Sequence, residues 1–169
     1  MNIHGGLGVC NEPIWNGKFQ RYTPFCAANK DDEAAQVYKA MPIYYGIWLA
    51  RHLGPGTFLP LTLSTERNVT AYAVRGDDGR IRIAVLQKED TTAAPVHLEI
   101  NIGGRNRNAS VLHLTGASLA EEQTAIQGAT VDGQGHLRPR HPDHLRVHDG
   151  TLALDLPAGS AELITVDSR

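Results

Sequence analysis

Residues 69–87 read VTAYAVRGDDGRIRIAVLQ. Two runs rich in β-branched and aliphatic residues, Val69–Arg75 and Arg80–Gln87, flank Gly76-Asp77-Asp78-Gly79, whose members tolerate the positive φ of a tight turn. Such a stretch predicts two antiparallel strands joined as a hairpin. The same grammar extends in both directions. Further strands are expected at Phe58–Ser64, Val96–Ile102, Ala109–Leu114, His144–His148, Thr151–Leu156 and Ala161–Val166, with a second hairpin turn at Asp149-Gly150. The segment Ser118–Pro142, rich in Gly, Gln and His, reads as loop with one short strand near Thr130. About eight short strands at this spacing make the chain mainly β and predict an antiparallel β-sandwich with its core between two sheets. No internal repeat is present.

Upstream of Gly56 the pattern changes. Pro42–Leu53, PIYYGIWLARHL, repeats its apolar positions at close to 3.6 residues, which predicts a helix. Pro42 stands where its missing N–H costs least, and Gly54-Pro55-Gly56 is a strong stop. The acidic stretch Asp31–Ala40 is a second, shorter helix candidate, with negative charge at its favourable end. Residues 1–56 are too few to bury a core of their own, so they are expected to lean on another body. The domain reading is therefore residues 1–56 as one region and residues 57–169 as the sandwich.

The chain has 169 residues, 41% of them hydrophobic and 20% charged, enough for one globular domain with an appendage. With 16 Lys and Arg against 18 Asp and Glu, it carries a formal charge of -2, which gives no electrostatic case for nucleic acid. No run approaches the roughly 20 apolar residues of a membrane span. The first residues lack the pattern of a secretory signal, so if the parent protein is exported its signal lies upstream. Cys10 and Cys26 both fall in the first loop, where they form either a disulfide or two free thiols; two Cys alone are a poor metal site. No cofactor motif occurs. His136, His141, His144 and His148 lack ligand spacing, since Pro139 and Pro142 prevent a helical His face. Asn68-Val69-Thr70 and Asn108-Ala109-Ser110 match glycosylation acceptors.

A strand ending in HGG (residues 4–6), a loop containing YTP (22–24) and a PIYYG helix (42–46) running into a sandwich resemble the C-terminal part of glycoside hydrolase family 79, the heparanase and β-glucuronidase family. SVLHLTGASLAEE (110–122), GATVDGQG (128–135) and LPAGSAELITV (156–166) are similar to late strands of that family's C-terminal domain, although families 30 and 39 append similar sandwiches. The resemblance implies that Asn2–Gly6 is the last strand of a (β/α)₈ barrel, Gly8–Lys30 its active-site loop and Pro42–Leu53 its last helix. It also implies that the catalytic glutamate pair lies on earlier strands upstream of Met1, so this chain would hold no catalytic residue, and glycan would be met through that barrel. Gly5, Gly6 and Tyr22 are then placed to receive a uronate carboxylate, and His4 to bond a sugar hydroxyl. Glu12, Asp31, Asp32 and Glu33 match no family motif. Trp15 and Phe19 can stack on a pyranose or cover the barrel, while Tyr44, Tyr45 and Trp48 read as core or barrel contacts. The resemblance further implies a sandwich strand supplied by the segment before the barrel; without it an unprotected sheet edge, or the apolar helix, predicts self-association as a homodimer. A free-standing carbohydrate-binding or structural sandwich is the alternative; it needs aromatics on a sheet face, and residues 58–169 contain only Phe58 and Tyr72.

Overall fold

The computed structural model describes residues 7–10, 12–14, 19–20, 23–104, 107–119 and 122–168. The chain is mainly β. Its early elements are β1 (Pro13–Ile14), β2 (Phe19–Gln20), β3 (Phe25–Cys26), α1 (Lys30–Ala34), β4 (Lys39–Ala40) and α2 (Pro42–Leu53). The sandwich follows as β5 (Thr57–Phe58), β6 (Val69–Arg75), β7 (Ile81–Gln87), β8 (Val96–Asn101), β9 (Arg107–Gly116), β10 (Thr124–Ile126), β11 (Asp143–Val147), β12 (Thr151–Leu156) and β13 (Ser160–Val166).

The large sheet runs β10-β9-β13-β7-β6-β5, with β11 also paired to β9; the small sheet is β12-β8, and every strand pair is antiparallel. Between the sheets lies a core in which Ile83, Val111 and Ile164 meet Leu98, Leu152 and Leu156. The opposite face of the large sheet is also covered: Ala84, Ala161 and Leu163 pack with Tyr45 and Leu49 of α2. This second layer explains why the β7 and β13 sequences, IRIAVLQ and SAELITV, lack clean alternation. Strands buried on both faces read as near-continuous apolar runs.

The helix α2 forms where its periodicity places it, with Pro42 in the first turn, Arg51 and His52 in the last, and Gly54 ending it at φ 76°. Of the acidic stretch, however, only Lys30–Ala34 is helical. Asn29 caps it, its side chain accepting from the Asp32 N–H, and Gln36 at φ 57° turns the chain away before Lys39 and Ala40 pair with β3. A longer helix would sacrifice that pairing.

Three strand expectations need correction. Phe58–Ser64 forms ladder pairs only at Thr57–Phe58. Leu59 N still donates to Ala73 O at 2.9 Å, but it is followed by Pro60, whose ring holds φ at about −65° where an antiparallel strand takes about −140°, and the segment leaves the sheet edge. Asp149 and Gly150, at φ 48° and 81°, do make a two-residue turn, with His148 and Thr151 exchanging backbone bonds. The flanking strands then part, because Val147 and Leu152 enter the core from opposite sheets. Finally, the loop after Ser118 holds a strand, β10, earlier than Thr130, where Val131 makes only an isolated bridge to Leu137.

Candidate functional site

The segment before α2 is tied together by a Cys10–Cys26 disulfide. Beside it Cys10 N donates to Ala27 O at 2.9 Å and Ala27 N to Gly8 O at 2.8 Å. The Phe25 ring lies 5.0 Å from Tyr44, which meets Tyr45 edge-on at 5.5 Å, and Trp48 stacks on His52 at 3.7 Å. The Tyr45 hydroxyl accepts the Val131 N–H at 3.0 Å, linking α2 to the segment between β10 and β11. Of the residues the resemblance assigns to substrate, His4, Gly5, Gly6 and Tyr22 lie outside the described residues, as does Trp15.

The carboxylates of Glu12, Asp32 and Glu33 are engaged in structural contacts at the surface. Lys30 Nζ stands 2.9 Å from both Glu12 and Glu33, and these two carboxylates, Glu33 first, hold its ammonium pKa above the usual range. Asp32 accepts from the Asn29 side chain at 3.0 Å. The histidines of the C-terminal half are spread over separate turns and strands. Among the described residues no group of three or more His, Cys, Asp or Glu is placed to hold a metal ion.

A second polar constellation lies at one end of the core. Glu162, in the middle of β13, is 1% exposed. Its Oε1 is 3.0 Å from His113 Nδ1 on β9, and His113 Nε2 is 3.1 Å from Asp143 Oδ2 at the start of β11. Glu162 Oε2 is buried with no hydrogen-bond partner among the described residues. Burial raises the Glu162 pKa, the His113 contacts oppose this, and the charge of Asp155 on β12 adds to it. Around His113, β9 changes partner from β11 to β10, and Gln127 closes the gap: its N–H donates to His113 O at 2.8 Å and its Oε1 accepts from His113 N at 3.1 Å.

The third feature is a groove of about 580 Å³, where the two-stranded sheet leaves β6 and β7 uncovered. Its floor is apolar, with Ala71, Ile83 and Val85, and its walls are Ile100 on β8 and Leu61 and Leu63 on the segment that follows β5. Among the described residues β8 pairs with β12 alone.

The fold is one found in glycoside hydrolases. A GH51 arabinofuranosidase from Xanthomonas axonopodis pv. citri superposes with a TM-score of 0.63 at 19% identity, over 88% of this chain and 29% of that one. CelM2, a bifunctional glucanase-xylanase from a metagenome library, matches with a TM-score of 0.53 at 21% identity, over 76% of this chain and 22% of its own. A 4-O-α-L-rhamnosyl-β-D-glucuronidase from Fusarium oxysporum 12S gives 0.53 at 21% identity, over 72% and 29%. At these identities the likeness is one of fold, and the chain spans less than a third of each structure. No protein-family model and no curated protein matches the sequence.

Neither Glu162 nor His113 stands out in the sequence as a site residue. One signal was available, a lone acid inside the apolar run SAELITV. A charge there must find a partner or a proton, because an isolated buried carboxylate is costly. Its partner lies 49 positions away and cannot be named without the strand register.

Proposed function

We infer that the chain is the C-terminal sandwich region of a glycoside hydrolase similar to family 79 and acting on uronic-acid-containing glycans. On this reading residues 1–56 complete the rim of a (β/α)₈ barrel and residues 57–169 brace it. The observation that carries the reading is the extent of the fold likeness. The 88% of the chain matched by the GH51 structure exceeds the share held by residues 57–169, so the likeness reaches into the segment containing α2. The likeness to a glucuronidase supports the uronate assignment. A retaining glycosidase needs two carboxylates about 5–5.5 Å apart, one as acid and one as nucleophile. The rim carboxylates described above are salt-bridged or, for Asp32, hydrogen-bonded to Asn29, and the catalytic pair is assigned to earlier barrel strands, with Gly5, Gly6, Tyr22 and His4 contributing substrate contacts.

Reading the coding DNA upstream of Met1 tests this. The expected result is an in-frame barrel with two glutamates at strand ends; an in-frame stop codon would overturn it. In parallel, this chain with aryl β-glucuronides should release product only at the buffer rate, and release well above that rate would contradict the assignment of the acid and nucleophile.

One observation favours a second reading, a carbohydrate-binding module. Phe58 is opposite Val74, two positions from Tyr72 along β6, so the two aromatics of the sandwich share one sheet face, 70% and 50% exposed. Affinity electrophoresis in gels containing soluble glycan distinguishes the readings: retardation abolished by Phe58→Ala and Tyr72→Ala supports the module, and unretarded migration removes it.

A further inference from the structure

The contacts of His113 set a proton count. Both ring nitrogens lie at hydrogen-bond distance from carboxylate oxygens, 3.0 Å to Glu162 and 3.1 Å to Asp143. Two hydrogen bonds need two protons, yet a neutral imidazole carries one N–H. The closed arrangement therefore holds one proton more than a neutral His between two carboxylates, whether as imidazolium or as a carboxylic acid. When that proton leaves, one nitrogen lone pair faces a carboxylate about 3 Å away, and one contact must open.

The two contacts are unequal. The Glu162 side chain is 2% exposed and its second oxygen has no hydrogen-bond partner among the described residues, so it cannot be left without the remaining N–H. The Asp143 side chain is 65% exposed and can turn to water. We propose that Glu162, His113 and Asp143 form a proton-dependent latch, in which loss of the shared proton keeps the Nδ1–H on Glu162 and releases Asp143, with the start of β11, from β9. Asp143 ends the segment that leaves β10 at Gln127, and Tyr45 of α2 holds that segment at Val131. Opening therefore frees one anchor of the arm that spans α2 and the sandwich.

Other charged groups shape the response. Asp155 on β12 repels Glu162 and favours retention of the proton, and it is itself paired with His97 on β8 at 2.7 Å. The register partner of Glu162 on β7 is Val85, which does not titrate. Burial of Glu162 acts in the same direction as Asp155, so both favour retention of the shared proton.

The test uses the full chain labelled with ¹⁵N, followed from about pH 5 to about pH 9, the range in which His-linked switches operate. The expected result is that His113 Nε2 changes from a protonated to a lone-pair nitrogen, and that amide protection factors of β11 fall about tenfold in the same step while those of β13 hold. Asp143→Asn replaces the carboxylate by an amide that can donate to Nε2, at an exposed position where folding is not at stake. In that variant the protection of β11 should no longer vary with pH. The proposal is overturned if Nε2 stays protonated throughout, if β11 protection is constant through the His113 step, or if Asp143→Asn loses protection at the same pH as the parent chain.

Discussion

Arg67 holds Glu89 through Nε, at 2.9 and 2.7 Å from the two carboxylate oxygens, and through a second nitrogen that also reaches Ala94 O at 3.0 Å. Gln87 Nε2 adds a bond at 3.1 Å, so one carboxylate fastens the end of β7 to the segment before β6. These bonds, Arg67 first, lower the Glu89 pKa from 4.5 to about 2. A carboxylate with a depressed folded pKa contributes stability that is present above its unfolded value and lost as pH falls through the folded one. The parent chain should therefore exceed Glu89→Gln in urea midpoint at about pH 7, with the gap closing as pH falls from 4.5 towards about 2. An equal gap at both ends would show that the pairing does not set the acid limb. The two residues are 22 apart, and nothing in their local sequence links them.

At the scale of elements, α2 was legible because its signals are local: a 3.6-residue repeat, Pro at the start and Gly at the stop. Its partner was not. Tyr45 and Leu49 bury against the outer face of the large sheet, and Tyr45 reaches Val131, 86 residues on. Tyr45→Phe leaves that backbone N–H without its acceptor and should cost about 1–2 kcal/mol in chemical denaturation. An unchanged midpoint would mean the bond carries no net stability. The disulfide gives a second expectation. Cys10 and Cys26 are 16 positions apart, and a loop of that size is restrained by about 3 kcal/mol on the chain-entropy model. Reduction should speed proteolytic cleavage within residues 7–40 while residues 69–166 stay resistant, and identical digestion before and after reduction would refute it.

For the whole molecule, the imbalance of the sheets matters most. A two-stranded sheet cannot cover a larger one, and the apolar groove beside β8 adjoins an edge whose backbone groups pair with no other described strand. Edges of this kind template further pairing, and an apolar patch next to them adds a driving force. The expected outcome is self-association of this chain, as a two-fold dimer that buries Leu61 and Leu63, and the double variant Leu61→Lys, Leu63→Lys should shift it towards monomer. Sedimentation at several concentrations checks this. A strictly monomeric parent chain at high concentration would show that the edge is protected.

By itself the sequence determined the antiparallel β character, the central hairpin of Val69–Gln87, the extent of α2 and the end of the chain as a strand, because alternation, helical repeat and turn chemistry act over a few residues. Only the tertiary structure decided that Pro60–Ser64, alternating like a strand, leaves the sheet edge after the Leu59 bond to Ala73. It likewise decided that β11 and β12, two residues of turn apart, serve opposite sheets, and that a lone Glu inside an apolar strand is buried against a His and an Asp from two other strands. Each of these depends on which distant strands become neighbours. That is settled by burying both faces of the large sheet at once, and no local pattern encodes it.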